Sequence, residues 1–213
     1  EGFLAAADNR PADARRQFDR AIELDATYAE GWLGRGLVSF RTGDEAGGLR
    51  ALTTAASLEP NRSLLRSYLG KAFTEQDHLF LGGWLPQRDW SHFAKAEEEL
   101  DRAIELDPED PTPWLYSSLL KRSTNRFNEA VADLNRSIAL NDNRGLFRSQ
   151  LLLDEDLAVR RANLAEIYQR AGLDEQAFAE AGKAVTADFN NFSAHNFLRG
   201  AYLERLDPTG LND

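Results

Sequence analysis

The sequence predicts an all-α chain, a solenoid of helix-turn-helix units, and three observations predict it. An eight-residue phrase occurs twice, as Phe18-Asp-Arg-Ala-Ile-Glu-Leu-Asp25 and as Leu100-Asp-Arg-Ala-Ile-Glu-Leu-Asp107. Positions of like character recur at 34 residues: Ala21 to Ala55, Leu24 to Leu58, Ala103 to Ser137 and Leu106 to Leu140. Within each copy the apolar residues fall three and four apart, the spacing that keeps side chains on one face of a helix. A fixed period of this length marks a repeat array, in which each unit shelters its apolar face against the next. Ala55 to Ala103 and Ser137 to Ala184 are 48 and 47 residues, so the period is lengthened by 14 and 13 residues at those two places.

Each element then follows in order. Residues 1 to 8 read as the remainder of one helix and Asn9-Arg-Pro11 as the turn after it, with Pro11 in the first turn of the next helix, where its missing N–H costs nothing. Ala14, Phe18, Ala21 and Ile22 mark the buried stripe of a helix ending near Asp25. The next pair covers about 28–41 and 44–58, separated by Gly43, suited to a left-handed turn, and Asp44, suited to capping. A third unit opens near Asn61; its first helix fades near Gln76, and its second runs from about Phe93 to Leu106 with Ser91 as cap. Between them lies an insertion, about 77–92, where Gly82, Gly83 and Pro86 interrupt helix while Phe80, Trp84 and Trp90 predict an ordered segment packed on the array. The fourth unit is about 111–123 and 126–140, with Pro111 and Pro113 opening it. A second insertion, about 145–157, follows the turn-rich Asn141-Asp-Asn-Arg-Gly145; its apolar residues keep no clean period, which leaves a short helix and an extended segment both open. The fifth unit is about 157–171 and 173–187, and a last helix, about 190–204, has no partner in the sequence, as a terminal cap or an incomplete repeat would.

The period, with Trp, Leu-Gly, an aromatic, Ala, an aromatic and Pro at fixed offsets, resembles the tetratricopeptide repeat. The fullest copy, 29–62, has Trp32, Gly36, Phe40, Gly43, Leu52, Ala55, Leu58 and Pro60; later copies keep Leu69-Gly70, Phe73, Ala96, Ala103 and Pro108, then Trp114, Phe127, Ala130, Leu134 and Leu140, then Leu164-Ala165, Tyr168, Gly172, Ala177 and Ala184. Departures are Gly48 and Ser137 at helix-contact alanine slots, and Arg66, Arg161 and His195 at the slot of Trp32 and Trp114. The resemblance implies a right-handed α-solenoid of about five units plus a terminal helix, one array over residues 1–213 with two insertions.

Composition limits the partners. Acidic residues outnumber basic ones 35 to 25, a formal charge of −10, which repels phosphate backbones and anionic lipid and argues against nucleic acid. Nor does any run approach the roughly 20 apolar residues needed to cross a bilayer, so no direct membrane insertion is expected. The chain has no cysteine, which excludes disulfide and thiolate chemistry in any compartment. It has no methionine and starts inside a helix by register, so it reads as a piece of a longer protein.

Catalytic groups are scarce, and the chain reads as no enzyme and as binding no cofactor. His78 and His92 flank the first insertion near Asp77 and Asp89, a conceivable metal set, but no short ligand signature joins them and an ordinary polar loop is the reading adopted. Glu97-Glu-Glu99 and Asp154-Glu-Asp156 point in different directions on a helix, and acidic residues in a first turn favour the macrodipole. Gly34-Arg-Gly36 and Gly82-Gly83 lack the strand context of a phosphate loop and read as close helix packing and a turn.

In the resembled family the first helix of each unit lines a concave groove that holds a protein or peptide partner. Carried over residue by residue, that implies Leu33, Leu37 and Phe40; Ser67, Tyr68 and Lys71; Leu115, Tyr116, Leu119 and Arg122; and Asn163, Glu166, Asn196 and Phe197. Some of these leucines are equally suited to the core. Only Lys71, Arg122 and Asn163 approach the Lys, Arg and Asn set with which family members clamp a C-terminal carboxylate, so that role is not expected. Leu, Phe and Tyr suit an apolar segment of another protein, with Phe80, Trp84 and Trp90 of the insertion as an edge contact. The alternative role is a structural spacer or self-assembly module. The stretches 143–160 and 191–198 also resemble part of large bacterial repeat proteins with an export signal and an outer-membrane barrel, which implies the periplasm or outer membrane.

Overall fold

The computed structural model describes residues 1–75, 90–145 and 149–206, with the side chains of Trp90, Leu151 and residues 203–206 outside the description. Among the described residues the chain forms eleven α-helices and no strand. One compact unit, Glu1–Pro108, holds α1 (Gly2–Ala7), α2 (Pro11–Leu24), α3 (Ala29–Arg41), α4 (Glu45–Leu58), α5 (Ser63–Glu75) and α6 (Trp90–Leu106). The other, Glu109–Asp213, holds α7 (Pro111–Ser123), α8 (Phe127–Ala139), α9 (Gln150–Arg170), α10 (Asp174–Ala187) and α11 (Phe192–Leu206). The helices pair as α1/α2, α3/α4, α5/α6, α7/α8 and α9/α10, and α11 packs on α10 and α9.

One turn is used four times to reverse the chain inside a pair. Asn9, Gly43, Asn125 and Gly172 take φ of 56°, 82°, 61° and 75°, a region open to glycine and, among other residues, chiefly to asparagine. The residue after each closes a hydrogen bond five places back: Arg10 N–H to Ala5 O at 2.9 Å, Asp44 to Ser39 at 2.9 Å, Arg126 to Lys121 at 2.8 Å, Leu173 to Tyr168 at 2.8 Å. This is the Schellman ending of a helix, which satisfies carbonyls that would otherwise lack a donor. Gly43 plays the expected part, and the Asp44 carboxylate caps α4 by accepting from Gly47 N–H at 2.9 Å. In the third pair the corresponding slot, Asp77, lies outside the described residues.

A second device ties the turn that leads into a pair. Trp32 Nε1 donates to Ala26 O at 2.8 Å, Arg66 Nε to Pro60 O at 3.0 Å, and His195 Nε2 bonds Phe189 O at 2.7 Å. Each reaches six residues back to the turn before its own helix. The carbonyl only accepts, so His195 carries its hydrogen on Nε2. At Arg66 and His195 the substitutions that look like defects in the sequence thus keep what Trp32 supplies, an N–H on a planar group at the right reach.

Small residues set how closely the helices approach. A Cβ at Gly36 would stand 2.8 Å from Leu52 Cδ2, one at Gly70 2.6 Å from Leu100 Cγ, and one at Gly34 2.1 Å from Phe18 Cε1. The close-packing reading of Gly34 and Gly36 therefore holds, while Gly82 and Gly83 lie outside the described residues. Ala55, Ala103 and Ala184 are fully buried and Ala21 is half-buried beside Gly31. Ser137, at an alanine slot, is buried with its hydroxyl donating to Pro111 O at 2.7 Å.

Two expectations need correction. The second helix of the third pair begins at Trp90, so Ser91 lies in its first turn rather than capping it. The second insertion is mostly helix: α9 has 21 residues where α3, α5 and α7 have 13, eight more, or over two turns. A single 3-10 turn, Asn141–Arg144, precedes it. The added turns are tied through Asn141, which Arg160, 3% exposed, fixes by donating to its Oδ1 and to Ser137 Oγ, both at 2.9 Å. Asn141 Nδ2 donates in turn to Leu153 O at 3.1 Å. A helix fixed by polar contacts to α8 and the turn after it needs no continuous apolar stripe, which is why periodicity could not decide its state.

Candidate partner-binding grooves

The first helices of the pairs frame two hollows, one in each unit. In the first unit α3 supplies Leu37, Phe40 and Arg41, α5 supplies Tyr68, Lys71, Ala72 and Glu75, and Leu52 of α4 forms the floor, enclosing about 280 Å³. Leu37, Phe40 and Tyr68 are only half-buried although they pack on the core. Charge is confined to the rim: Lys71 Nζ lies 3.4 Å from Glu75 Oε1. Arg41 donates through Nη1 to Ala6 O at 2.7 Å and through Nη2 to Asn9 Oδ1 at 3.1 Å, which fixes its stem along the wall.

In the second unit α9 supplies Glu166, Gln169 and Arg170, and α11 supplies Phe192, Ser193, Asn196, Phe197, Gly200 and Ala201, around about 560 Å³. Glu166 accepts from Arg122 of α7 at 2.5 Å, so two residues expected in the groove are each other's partners.

Counting shows that the two hollows are one feature repeated. Leu37, Phe40 and Arg41 stand 5, 8 and 9 residues after Trp32, and Glu166, Gln169 and Arg170 stand 5, 8 and 9 after Arg161. Tyr68, Lys71 and Ala72 stand 2, 5 and 6 after Arg66, as Phe197, Gly200 and Ala201 do after His195. The aromatic, the arginine and the alanine are kept in kind. Glycine in place of Lys71, and a polar wall in place of Leu37 and Phe40, make the second hollow wider and wetter.

The structure sorts the expected residues. Leu37, Phe40, Tyr68 and Lys71 come together in the first hollow, and Glu166, Asn196 and Phe197 in the second. Leu33, 3% exposed, belongs to the core with Leu52, Ala55 and Leu65, and Ser67 is fully buried, so both leave the groove set. Leu115 packs on Leu134, Leu164 and Ile167. Tyr116, Leu119 and Arg122 are half-buried on α7, and Asn163 Nδ2 donates to Val159 O of its own helix at 2.9 Å. Phe80 and Trp84 lie outside the described residues, and of Trp90 only the backbone, at the start of α6, is described. Arg41, Glu75, Gln169, Arg170 and Phe192 were missed, although Arg41 and Arg170 share a slot that the period alone would have exposed.

Facing slots across a pair also match in chemistry. Arg66 Nη1 lies 2.8 Å from Glu99 Oε2, and Arg161 Nη1 2.8 Å from Glu180 Oε2. Where tryptophan takes the first slot, the residue 19 later is Ala51 or Asp133; Asp133 instead accepts from Ser117 Oγ at 2.7 Å and Lys121 Nζ at 2.5 Å. Among the described residues no three His, Asp or Glu side chains gather as metal ligands, and no helix is long and apolar enough to cross a membrane. His92 sits in α6, its ring centroid 6.4 Å from that of Phe73, and His78 lies outside the described residues.

Helix pairs, left-handed turns at a fixed slot and small residues at the crossings define a tetratricopeptide-type α-solenoid. Solved structures of that fold agree. A thermophilic TPR protein of Thermus thermophilus, TTC0263, superposes with a TM-score of 0.80 at 20% identity over 95% of this chain and 95% of its own. Cut9, in the APC/C hetero-tetramer Cut9–Hcn1, superposes at 0.76 with 20% identity over 97% of this chain, which spans 36% of Cut9's length. YrrB, a TPR protein with an unusual peptide-binding site, gives 0.54 at 17% identity over 92% of this chain and 87% of its own. No family profile matches the sequence and no curated protein matches it; at these identities the likeness is one of fold.

Proposed function

We propose that the chain is a non-catalytic interaction scaffold that holds a segment of a protein partner against the first helices of its repeats. The observation that carries this is the pair of repeat-equivalent hollows, each joining an aromatic side chain to an arginine and an alanine at the same offsets. A recess of about 280 Å³ walled by Leu37, Phe40 and Tyr68 suits one bulky apolar side chain, the kind of anchor that dominates such interfaces. The second, with Glu166, Gln169 and Asn196, suits a polar stretch of backbone. YrrB's peptide-binding site and the Cut9–Hcn1 complex support a peptide or protein as the ligand class. The resemblance of 143–160 and 191–198 to exported repeat proteins makes the cell envelope the compartment we propose.

Peptides selected from a random displayed library against the whole chain test this. Those with a bulky apolar anchor should bind, and Leu37→Arg should weaken them at least about tenfold while the circular dichroism of the protein stays unchanged. Undiminished binding to the folded variant would remove the first hollow from the site.

A further inference from the structure

Of the charged side chains that line the two hollows, Arg170 alone makes no hydrogen bond or ion pair among the described residues. In the first hollow Lys71 lies against Glu75, and Arg41 is engaged by Ala6 O and Asn9 Oδ1. Arg41 and Arg170 hold the same slot, two residues before the left-handed glycines Gly43 and Gly172. The pair before α9 offers Asn125 at the slot of Asn9, with the same left-handed backbone. Arg170 nonetheless forms no bond to it.

A partner for Arg170 stands in the sequence, and the fold removes it. Glu166 precedes Arg170 by four residues, the order in which an acidic and a basic residue pair best along a helix. Arg122 of α7 takes that carboxylate instead, at 2.5 Å. Glu166 is thereby neutralised, and the guanidinium of Arg170 is left as the uncompensated charge of the hollow, in a chain whose formal charge is −10. The same hollow keeps room for a ligand group. Gly200 stands where the first hollow has Lys71, and a Cβ on it would meet nothing within 4 Å, so packing does not require glycine there. Gln169 and Asn196 line the recess with neutral amide donors.

We infer that Arg170 reads an acidic residue of the partner: the segment held in the second hollow carries an aspartate or glutamate within it, and that side chain pairs with this guanidinium, whose planar fork matches a carboxylate. The inference rests on the reading of the hollows as a partner site and names the chemistry that one of them selects. A free chain end is not the group concerned. Arg122 and Asn163, the residues of this unit nearest to a clamp for one, are engaged by Glu166 and by Val159 O.

Random peptides displayed through their C-terminus, and so without a free terminal carboxylate, are selected against the whole chain and remade with amidated ends. Those weakened by Asn196→Ala are the ligands of the second hollow. Each should carry an Asp or Glu whose change to Asn or Gln weakens binding about tenfold. Arg170→Gln should do the same, the two changes together should cost no more than either alone, and Arg170→Lys should recover part of the loss. Ligands of the second hollow that lack an acidic residue, or losses that multiply, overturn the inference and leave the scaffold reading standing. So does a peptide with a free C-terminus and no internal acid that loses as much on Arg170→Gln. If no peptide is sensitive to either Asn196→Ala or Leu37→Arg, the scaffold reading fails and takes the inference with it.

Discussion

Asp25, at the end of α2, accepts from the Thr27 hydroxyl at 2.6 Å and from Thr27 N–H at 2.9 Å. The hydroxyl first, then the amide, hold its carboxyl below the ordinary value of 3.8. A carboxyl depressed in the folded state favours folding above the ordinary carboxylate range, and that contribution is lost as pH falls through the folded value. Thr27→Val removes the hydroxyl and keeps the amide, so the Asp25 pKa, followed by NMR titration, should rise towards its ordinary value; no movement would acquit the hydroxyl. At Gly34 the effect is steric. Phe18 is buried among Ala5, Ala14 and Val38 and has no room to retreat, so Gly34→Val should cost at least about 2 kcal/mol, read as a lower urea midpoint. Gly34 was legible as a packing glycine from its place in the repeat. The roles of Arg66 and His195 were not, because a sequence shows which side chain fills a slot but not which atom the slot needs.

At the scale of elements, the Arg161–Glu180 contact predicts a coupled pair. Glu180 is buried, and Lys183 Nζ, 2.5 Å away, remains if the arginine is removed. Arg161→Trp restores the residue type of the better copies yet leaves the carboxylate facing an indole, so it should destabilise by roughly 1–3 kcal/mol. Adding Glu180→Ala, which recreates the Trp32 and Ala51 combination, should recover most of that loss. A double-mutant cycle reads the coupling directly, and additive effects would show that the two slots are independent. Helix boundaries were readable nearly to the residue where glycine, asparagine or proline stands at a turn, as at Asn9, Gly43 and Pro111. They were not readable for α9, whose first turns are tied by Asn141, itself held by Arg160, as well as by apolar contacts.

For the whole molecule, the fold could be read from the period because every repeat restates the same packing constraints, so several imperfect copies outweigh any one defect. The binding residues were only partly legible. Slots were carried over one helix at a time, whereas a hollow is made by two helices and its rim by a third residue such as Arg41. Leu33 shows the cost, since being one turn from Leu37 along α3 does not decide which of the two faces the core. The same pairing predicts how binding should divide. A peptide held in the first unit should be sensitive to Leu37→Arg and indifferent to Asn196→Ala in an equilibrium titration, and one held in the second should show the reverse.

Helix α9 is about 32 Å long if its 21 residues rise about 1.5 Å each, against about 20 Å for the 13 residues of α7. Its added length, residues 150–157, extends some 12 Å and carries Leu152, which is open to solvent. A guest laid flat over α7 and α9 meets that step, and a long straight rod would lift off there. On the proposed reading, a ligand of the second unit would be selected for brevity or for a bend, before any single side chain is tested.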